Sequence, residues 1–295
     1  MKNIVVTGAT GFVGSNLVRF LSKKDFKIFV IVRKDSDLKN LSDLLETKLE
    51  IFRYDNDLNL LIDYFCNVQP IYVFHLASNF IAEHEPYQVD SLVQSNITFG
   101  LHLLEAMKGA GVKHLVNTGT SWQHYKNEPY NPVCLYAATK QAFESLIEYY
   151  VQAEGFKVVT LKLFDTYGET DSRPKLINLL NKFADENKVL NMSPGEQYLD
   201  LVHVDDVCEA FFIGSKLIGN ADYQGHKSYA VSSQMRFTLK QVIELFETIS
   251  GKQIKVNWGG KPYRKREVMT VWNNGQPLPK WKPSISLKEG LSKLK

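Results

Sequence analysis

The chain has 295 residues, near the upper limit for a single hydrophobic core, so one large domain with a smaller lobe, or two closely joined domains, is expected. A composition 44% hydrophobic and 23% charged excludes wholesale disorder, and 35 Lys plus Arg against 32 Asp plus Glu leave a net charge of +3, too little for a nucleic-acid-binding stripe. No apolar run nears the roughly 18 residues of a membrane span, a strand begins two residues in where a leader would lie, and Cys66, Cys134 and Cys208 are too scattered for a disulfide framework or a metal cage. A reduced, cytoplasmic protein is expected, without metal, membrane or nucleic acid.

In chain order, Asn3–Thr7 reads as a buried strand and Phe12–Lys24 as an amphipathic helix. Lys27–Val32, Leu49–Arg53, Ile71–Leu76, His114–Thr118 and Lys157–Leu163 read as further strands, separated by helical patterns at Leu58–Asn67, Tyr87–Gly109 and Leu135–Glu154. Apolar strands alternating with helices predict an α/β, Rossmann-type doubly wound parallel sheet covered on both faces. The rhythm then changes. Arg173–Asn187 predicts a helix, Val189–Asp200 is turn-rich, and Asp205–Ile218 predicts a helix capped by Asp205 or Val204. Ser228–Val231 is a short strand, Thr238–Ser250 a helix ended by Gly251, and Val256–Pro283 a tail holding Trp258, Trp272 and Trp281. The expected division is a dinucleotide-binding domain over 1–163, with a segment near 200–232 returning to its sheet, and a smaller C-terminal substrate-binding lobe over 164–295.

Gly8-Ala9-Thr10-Gly11-Phe12-Val13-Gly14 lies between the first strand and the first helix. Gly8 suits the tight exit, Gly11 the close approach of a pyrophosphate and Gly14 the packing of helix on sheet. The free amides of the helix start then face the phosphates. Where an acid would take the adenosine ribose of NAD, the second strand ends in Arg33-Lys34, which favours the 2′-phosphate of NADP. Tyr136 and Lys140, at i,i+4, share a helix face, and the ammonium is expected to lower the phenol's pKa toward proton exchange. At a strand's carboxyl end, Thr120, with Ser121 as the second candidate, offers a hydroxyl to the substrate oxygen.

These pieces resemble the extended short-chain dehydrogenase/reductase family over the full length. The matching segments are 7–14, His75-Leu76-Ala77, Asn96, Thr118–Ser121, Tyr136–Lys140, Leu161–Gly168 and Asp200–Val207. The resemblance implies a nucleotide-linked sugar as substrate. It also implies Asp55 near the adenine, Leu76, Ala77 and Ser78 lining the cofactor, Asn96 and Thr118 beside it, Lys140 on the nicotinamide ribose and Phe164 beside the nicotinamide. No acid pair follows Thr120, where similar 4,6-dehydratases carry one. The segment from Asn117 to Ser121, Tyr136–Gln141 and the tail near Arg264, Glu267 and Met269 look like ketoreductases of the CDP-paratose and CDP-abequose synthase type. That implies NADPH-dependent reduction of a nucleotide-linked 4-keto-6-deoxyhexose. The alternatives are a 4-epimerase retaining NAD and a non-catalytic NADP-binding protein. Lys175 and Arg264 are expected to reach the diphosphate, Ser121, Trp122 and His124 to shape the sugar pocket, and the helices 87–109 and 135–154 to pair two copies as a four-helix bundle.

Overall fold

A computed structural model describes residues 1–44 and 49–294. Its strands are β1 (Lys2–Thr7), β2 (Phe26–Arg33), β3 (Leu49–Tyr54), β4 (Tyr72–His75), β5 (His114–Thr120), β6 (Lys157–Leu163), β7 (Asp165–Tyr167), β8 (Leu190–Met192), β9 (Tyr198–Leu199), β10 (Leu201–His203), β11 (His226–Val231), β12 (Phe237–Thr238) and β13 (Val256–Trp258). The helices are α1 (Phe12–Ser22), α2 (Leu58–Val68), α3 (Val89–Val93), α4 (Phe99–Gly109), α5 (Leu135–Glu154), α6 (Leu176–Asp185), α7 (Val204–Ile218), α8 (Leu239–Ser250) and α9 (Leu287–Ser292). Seven strands form one parallel sheet in the order β11-β6-β5-β4-β1-β2-β3.

The alternation of side chains along each strand decides which helix covers which face. Ile4, Val6, Ile28 and Val30 point to one side, where Leu17, Leu21 and Phe211 of α1 and α7 meet them. Val5, Phe29 and Ile31 point to the other, against Leu61 and Phe65 of α2, Leu103 and Met107 of α4, and Phe143 and Ile147 of α5. A third cluster joins α6, α8 and α9 through Leu180, Val242, Phe246 and Leu291. The strand order reverses between β1 and β4, so a crevice opens there at the carboxyl ends of the strands. β11 extends the main sheet beside β6, and α7 packs over β5 and β6.

Several boundaries differ from the sequence reading. The expected helix 87–109 begins at Val89 and is broken by a π-turn at Gln94–Thr98, and the expected helix 173–187 runs from Leu176 to Asp185 because Arg173 is tied to Asp171 ahead of it. The cap of α7 is His203, whose Nδ1 accepts from the Asp205 amide, rather than Asp205 or Val204. The Asp206 carboxylate instead accepts from Ser284 N and Oγ and Ile285 N, pinning the C-terminal tail. The turn-rich stretch 189–200 contains β8 and β9. Among the described residues, no helix is long and apolar enough to cross a membrane and no group of His, Cys, Asp or Glu converges as a metal cage.

Candidate active site

The glycine turn fits a dinucleotide diphosphate. Gly8 has φ of +69°, and a Cβ there would meet the backbone of Leu76 and Ala77 in the adjoining strand exit. A Cβ on Gly14 would collide with the Gly8 carbonyl, so α1 reaches the turn only as glycine. The helix begins at Gly11 with no side-chain cap, and its first amides have no intrahelical acceptor. The Thr10 carbonyl accepts from Asn40, which draws the loop after β2 across the turn. Thr7 Oγ1 accepts from Ala77 N at 3.2 Å and lies 2.8 Å from His75 Nδ1, locking β1 to β4 beside the turn. Half-buried Val13 and buried Phe12 follow, the latter's ring under the Arg173 guanidinium at 4.5 Å.

Arg33 ends β2 at the same edge of the sheet. It and Lys34 are exposed, and neither joins an ion pair among the described residues. Arg53, which the sequence reading did not single out, donates to the Lys34 carbonyl at 2.7 Å and shapes their loop. Asp55 is exposed just past β3.

The catalytic candidates converge where β5 meets α5. Thr120 is buried at the end of β5; its Oγ accepts from Trp122 N at 3.2 Å and so keeps its proton for another partner. Tyr136 and Lys140 occupy the first turns of α5, the phenol ring edge-on to Phe80 at 4.9 Å. The expectation for the phenol's pKa is corrected. Burial raises it, hydrogen bonding with Ser78 draws it partly back, and the Cys134 thiol adds to the rise. Lys140 is itself buried, the residue being 2% exposed. Desolvation pushes Lys140 down to about 8, with Glu144 opposing.

Two residues expected beside the cofactor turn out to brace the site. Asn96, in the π-turn, accepts from Ser78 Oγ and Asn79 N and donates to Asn79 O and the Thr139 hydroxyl, which fills its polar capacity. It fastens the loop after β4 to the catalytic helix. Thr118 Oγ donates to the His75 carbonyl at 2.7 Å and joins β5 to β4. Leu76, Ala77 and Ser78 follow directly after the end of β4.

Beyond Tyr136 a cleft is lined by Ser121, Trp122, Phe164, Asp165, Arg264 and Trp272, among others. Lys175 Nζ stands 4.0 Å over the Phe80 ring, and the Arg264 guanidinium 5.1 Å over Trp122. Arg264 is not a free cation: Nε and Nη2 pair with both carboxylate oxygens of Glu267, at 3.1 and 2.7 Å, leaving only the rest of the guanidinium for a ligand. Phe164 lies parallel to Trp272, which in turn stacks on His124 at 4.0 Å. Phe80 and Trp272 carry no motif signal of their own, and only the folding of distant segments brings them here.

Matches to known proteins agree with this layout. Residues 4–236 fit the model of the NAD dependent epimerase/dehydratase family. CDP-abequose synthase of Salmonella muenchen is 26% identical, with 99% of this chain and 97% of that protein aligned. UDP-glucuronate 4-epimerase of Thermodesulfobacterium geofontis is 27% identical over 99% of this chain and 95% of that one. Among solved structures, UDP-glucose-4-epimerase from Stenotrophomonas maltophila, with bound NAD and formylated UDP-arabinopyranose, superposes with a TM-score of 0.87 at 18% identity, covering 100% of this chain and 97% of that chain. The family match spans well over half the chain: the chain belongs to the NAD dependent epimerase/dehydratase family.

Proposed function

We propose that the protein is an NADPH-dependent reductase of the C4 ketone of a nucleotide-linked 4-keto-6-deoxyhexose. The observation that carries the cofactor half of this reading is the end of β2, where exposed Arg33 and Lys34 stand in place of an acid. Arginine offers a bidentate fork to a 2′-phosphate, and an acid there would repel it. Full-length similarity to CDP-abequose synthase supports the substrate half.

When bound, the nicotinamide supplies the hydride; the chain supplies everything else. The amides at the start of α1 hold the diphosphate. Thr120 donates a hydrogen bond to the ketone oxygen, and Tyr136 gives its proton as the alkoxide forms. A phenol raised by burial stays protonated at neutral pH, which suits an acid in the reductive direction. Lys140, cationic below about pH 8, stabilises the phenolate left behind. Lys175, and the part of Arg264 not engaged by Glu267, receive the substrate diphosphate.

The second reading is a 4-epimerase that retains NAD. It is favoured by one fact: the 27% identity to UDP-glucuronate 4-epimerase matches that to the synthase. Incubating the protein with NADPH and a panel of CDP-, UDP- and dTDP-4-keto-6-deoxysugars separates them. Loss of nicotinamide absorbance with one nucleotide supports reduction, and Arg33→Asp should then weaken NADPH relative to NADH by tenfold or more (about 1.4 kcal/mol). Protein purified with tightly held NAD, converting C4 epimers without net oxidation, establishes the epimerase instead.

A further inference from the structure

Beneath the substrate cleft lies a polar network to which no role has been given. Gln123 is fully buried; its Oε1 accepts from the Thr120 amide at 2.9 Å, and its Nε2 donates to Gln141 at 2.7 Å and to Glu144 at 2.8 Å. The second Glu144 oxygen is 3.4 Å from Lys162 Nζ, and the two side chains are only 7% and 6% exposed. Lys162 also lies 2.9 Å from His124 Nε2. His124 Nδ1 faces the Glu128 carbonyl, which can only accept, so Nδ1 carries the proton and Nε2 accepts from the ammonium. Both ends of the turn from Thr120 to His124 are therefore tied, through Gln123 and His124, to a single ion pair bridging α5 and β6.

A buried ion pair contributes little net stability, since desolving two charges cancels most of their attraction, but it tolerates few alternative geometries. Burial depresses the Lys162 pKa and Glu144 only partly opposes it, as expected of charges that depend on one another. We infer that Glu144 and Lys162 are positioning residues, whose pairing holds the Thr120–His124 turn in the arrangement that presents the Thr120 hydroxyl to the substrate and lays His124 flat on Trp272. The inference rests on the proposed role of Thr120 at the reacting oxygen, which reduction and epimerisation share.

The test compares Glu144→Leu, Lys162→Met and the double variant. Each single change strands a buried charge and should lower Tm, and the double change should recover most of that loss. Turnover should not recover with it: kcat of the double variant should stay down by roughly 10- to 100-fold, with KM and cofactor affinity within threefold. Hydrogen exchange over residues 118–125 should quicken in the double variant while the sheet stays protected, a readout that needs no substrate. A double variant with wild-type kcat, or with a turn as protected as in the wild type, overturns the inference. Should that variant not fold, Gln123→Met cuts the same link without touching the ion pair, and wild-type exchange over 118–125 in it overturns the inference equally. If the wild type reduces no 4-keto sugar, only the proposed reaction falls, because the exchange result stands by itself.

Discussion

Tyr136→Phe deletes one hydroxyl from a ring already packed on Phe80 and leaves α5 intact. If the phenol is the proton donor, turnover of the 4-keto sugar should fall by roughly 10²- to 10⁴-fold. NADPH affinity should hold, because the proposed seat of the diphosphate is the glycine turn, away from the phenol; a near-native rate in a steady-state assay would remove Tyr136 from the mechanism. Thr120→Val should cost less, one hydrogen bond of about 1–3 kcal/mol in the barrier. Lys140 makes a prediction about pH. Its folded pKa, pushed down to about 8, lies below the value of an unfolded lysine, so the burden on stability is full below pH 8 and is relieved as pH rises toward 10.5. Lys140→Met removes a buried charge worth about 3 kcal/mol at pH 7. The ligand-free variant should therefore melt above the wild type at pH 7, and the gap should close by pH 10; a pH-independent gap counts against a buried ammonium. Spacing made the shared face of Tyr136 and Lys140 legible. The direction of the phenol's shift was not, since it depends on burial by Phe80 and on Ser78, both fixed only by tertiary packing.

At the scale of elements, the turn from β1 to α1 was the most legible part of the chain, because glycine is the only residue whose missing Cβ admits both the +69° turn at position 8 and the contact of Gly14 with the Gly8 carbonyl. Gly14→Ala must push the first turn of α1 off that carbonyl, which is backbone and cannot yield. NADPH binding, followed by fluorescence titration, should weaken more than tenfold (about 1.4 kcal/mol), with a lower Tm; unchanged affinity would mean the diphosphate lies elsewhere. The π-turn at Gln94–Thr98 was illegible for the opposite reason. Its residues read as continuous helix, and the break is set by Asn96, whose four hydrogen bonds go to Ser78, Asn79 and Thr139 far along the chain. The cap of α7 was misread in the same way. Asp205 and Asp206 both have capping chemistry, but Asp206 is claimed by the tail at Ser284 and Ile285, and His203 takes the cap. Arg264 kept its place beside the cleft, yet the partner that occupies it, Glu267, is only three residues away, within reach of a closer reading.

For the whole molecule, the question is what covers the outer face of α4 and α5. The apolar stripe of α5 divides: Phe143, Ile147 and Tyr150 are buried against the sheet and α4, with the Tyr150 hydroxyl donating to Glu105 at 2.7 Å. Ala142 and Leu146 remain half-buried, and Tyr149 is 59% exposed. On the preceding helical run Val93, Ile97 and Leu101 recur every four residues and are likewise only partly covered. These two rows lie on neighbouring helices, and we read them as one apolar strip, although Leu101 also packs on the core. A second copy related by a two-fold axis would set the strip against itself, each pair of helices meeting its own image, which is the self-complementary contact such symmetry requires. The expected outcome is a dimer by light scattering at micromolar concentration. Val93→Glu on one row, or Tyr149→Glu on the other, both exposed, would place like charges face to face across the axis and should yield monomers whose fold, by circular dichroism, is unchanged. Each candidate site is built from the residues of one chain, so those monomers should keep measurable turnover. A wild-type protein that remains monomeric at these concentrations would leave the strip as ordinary surface, and Tyr149 as an exposed aromatic with no second chain to meet.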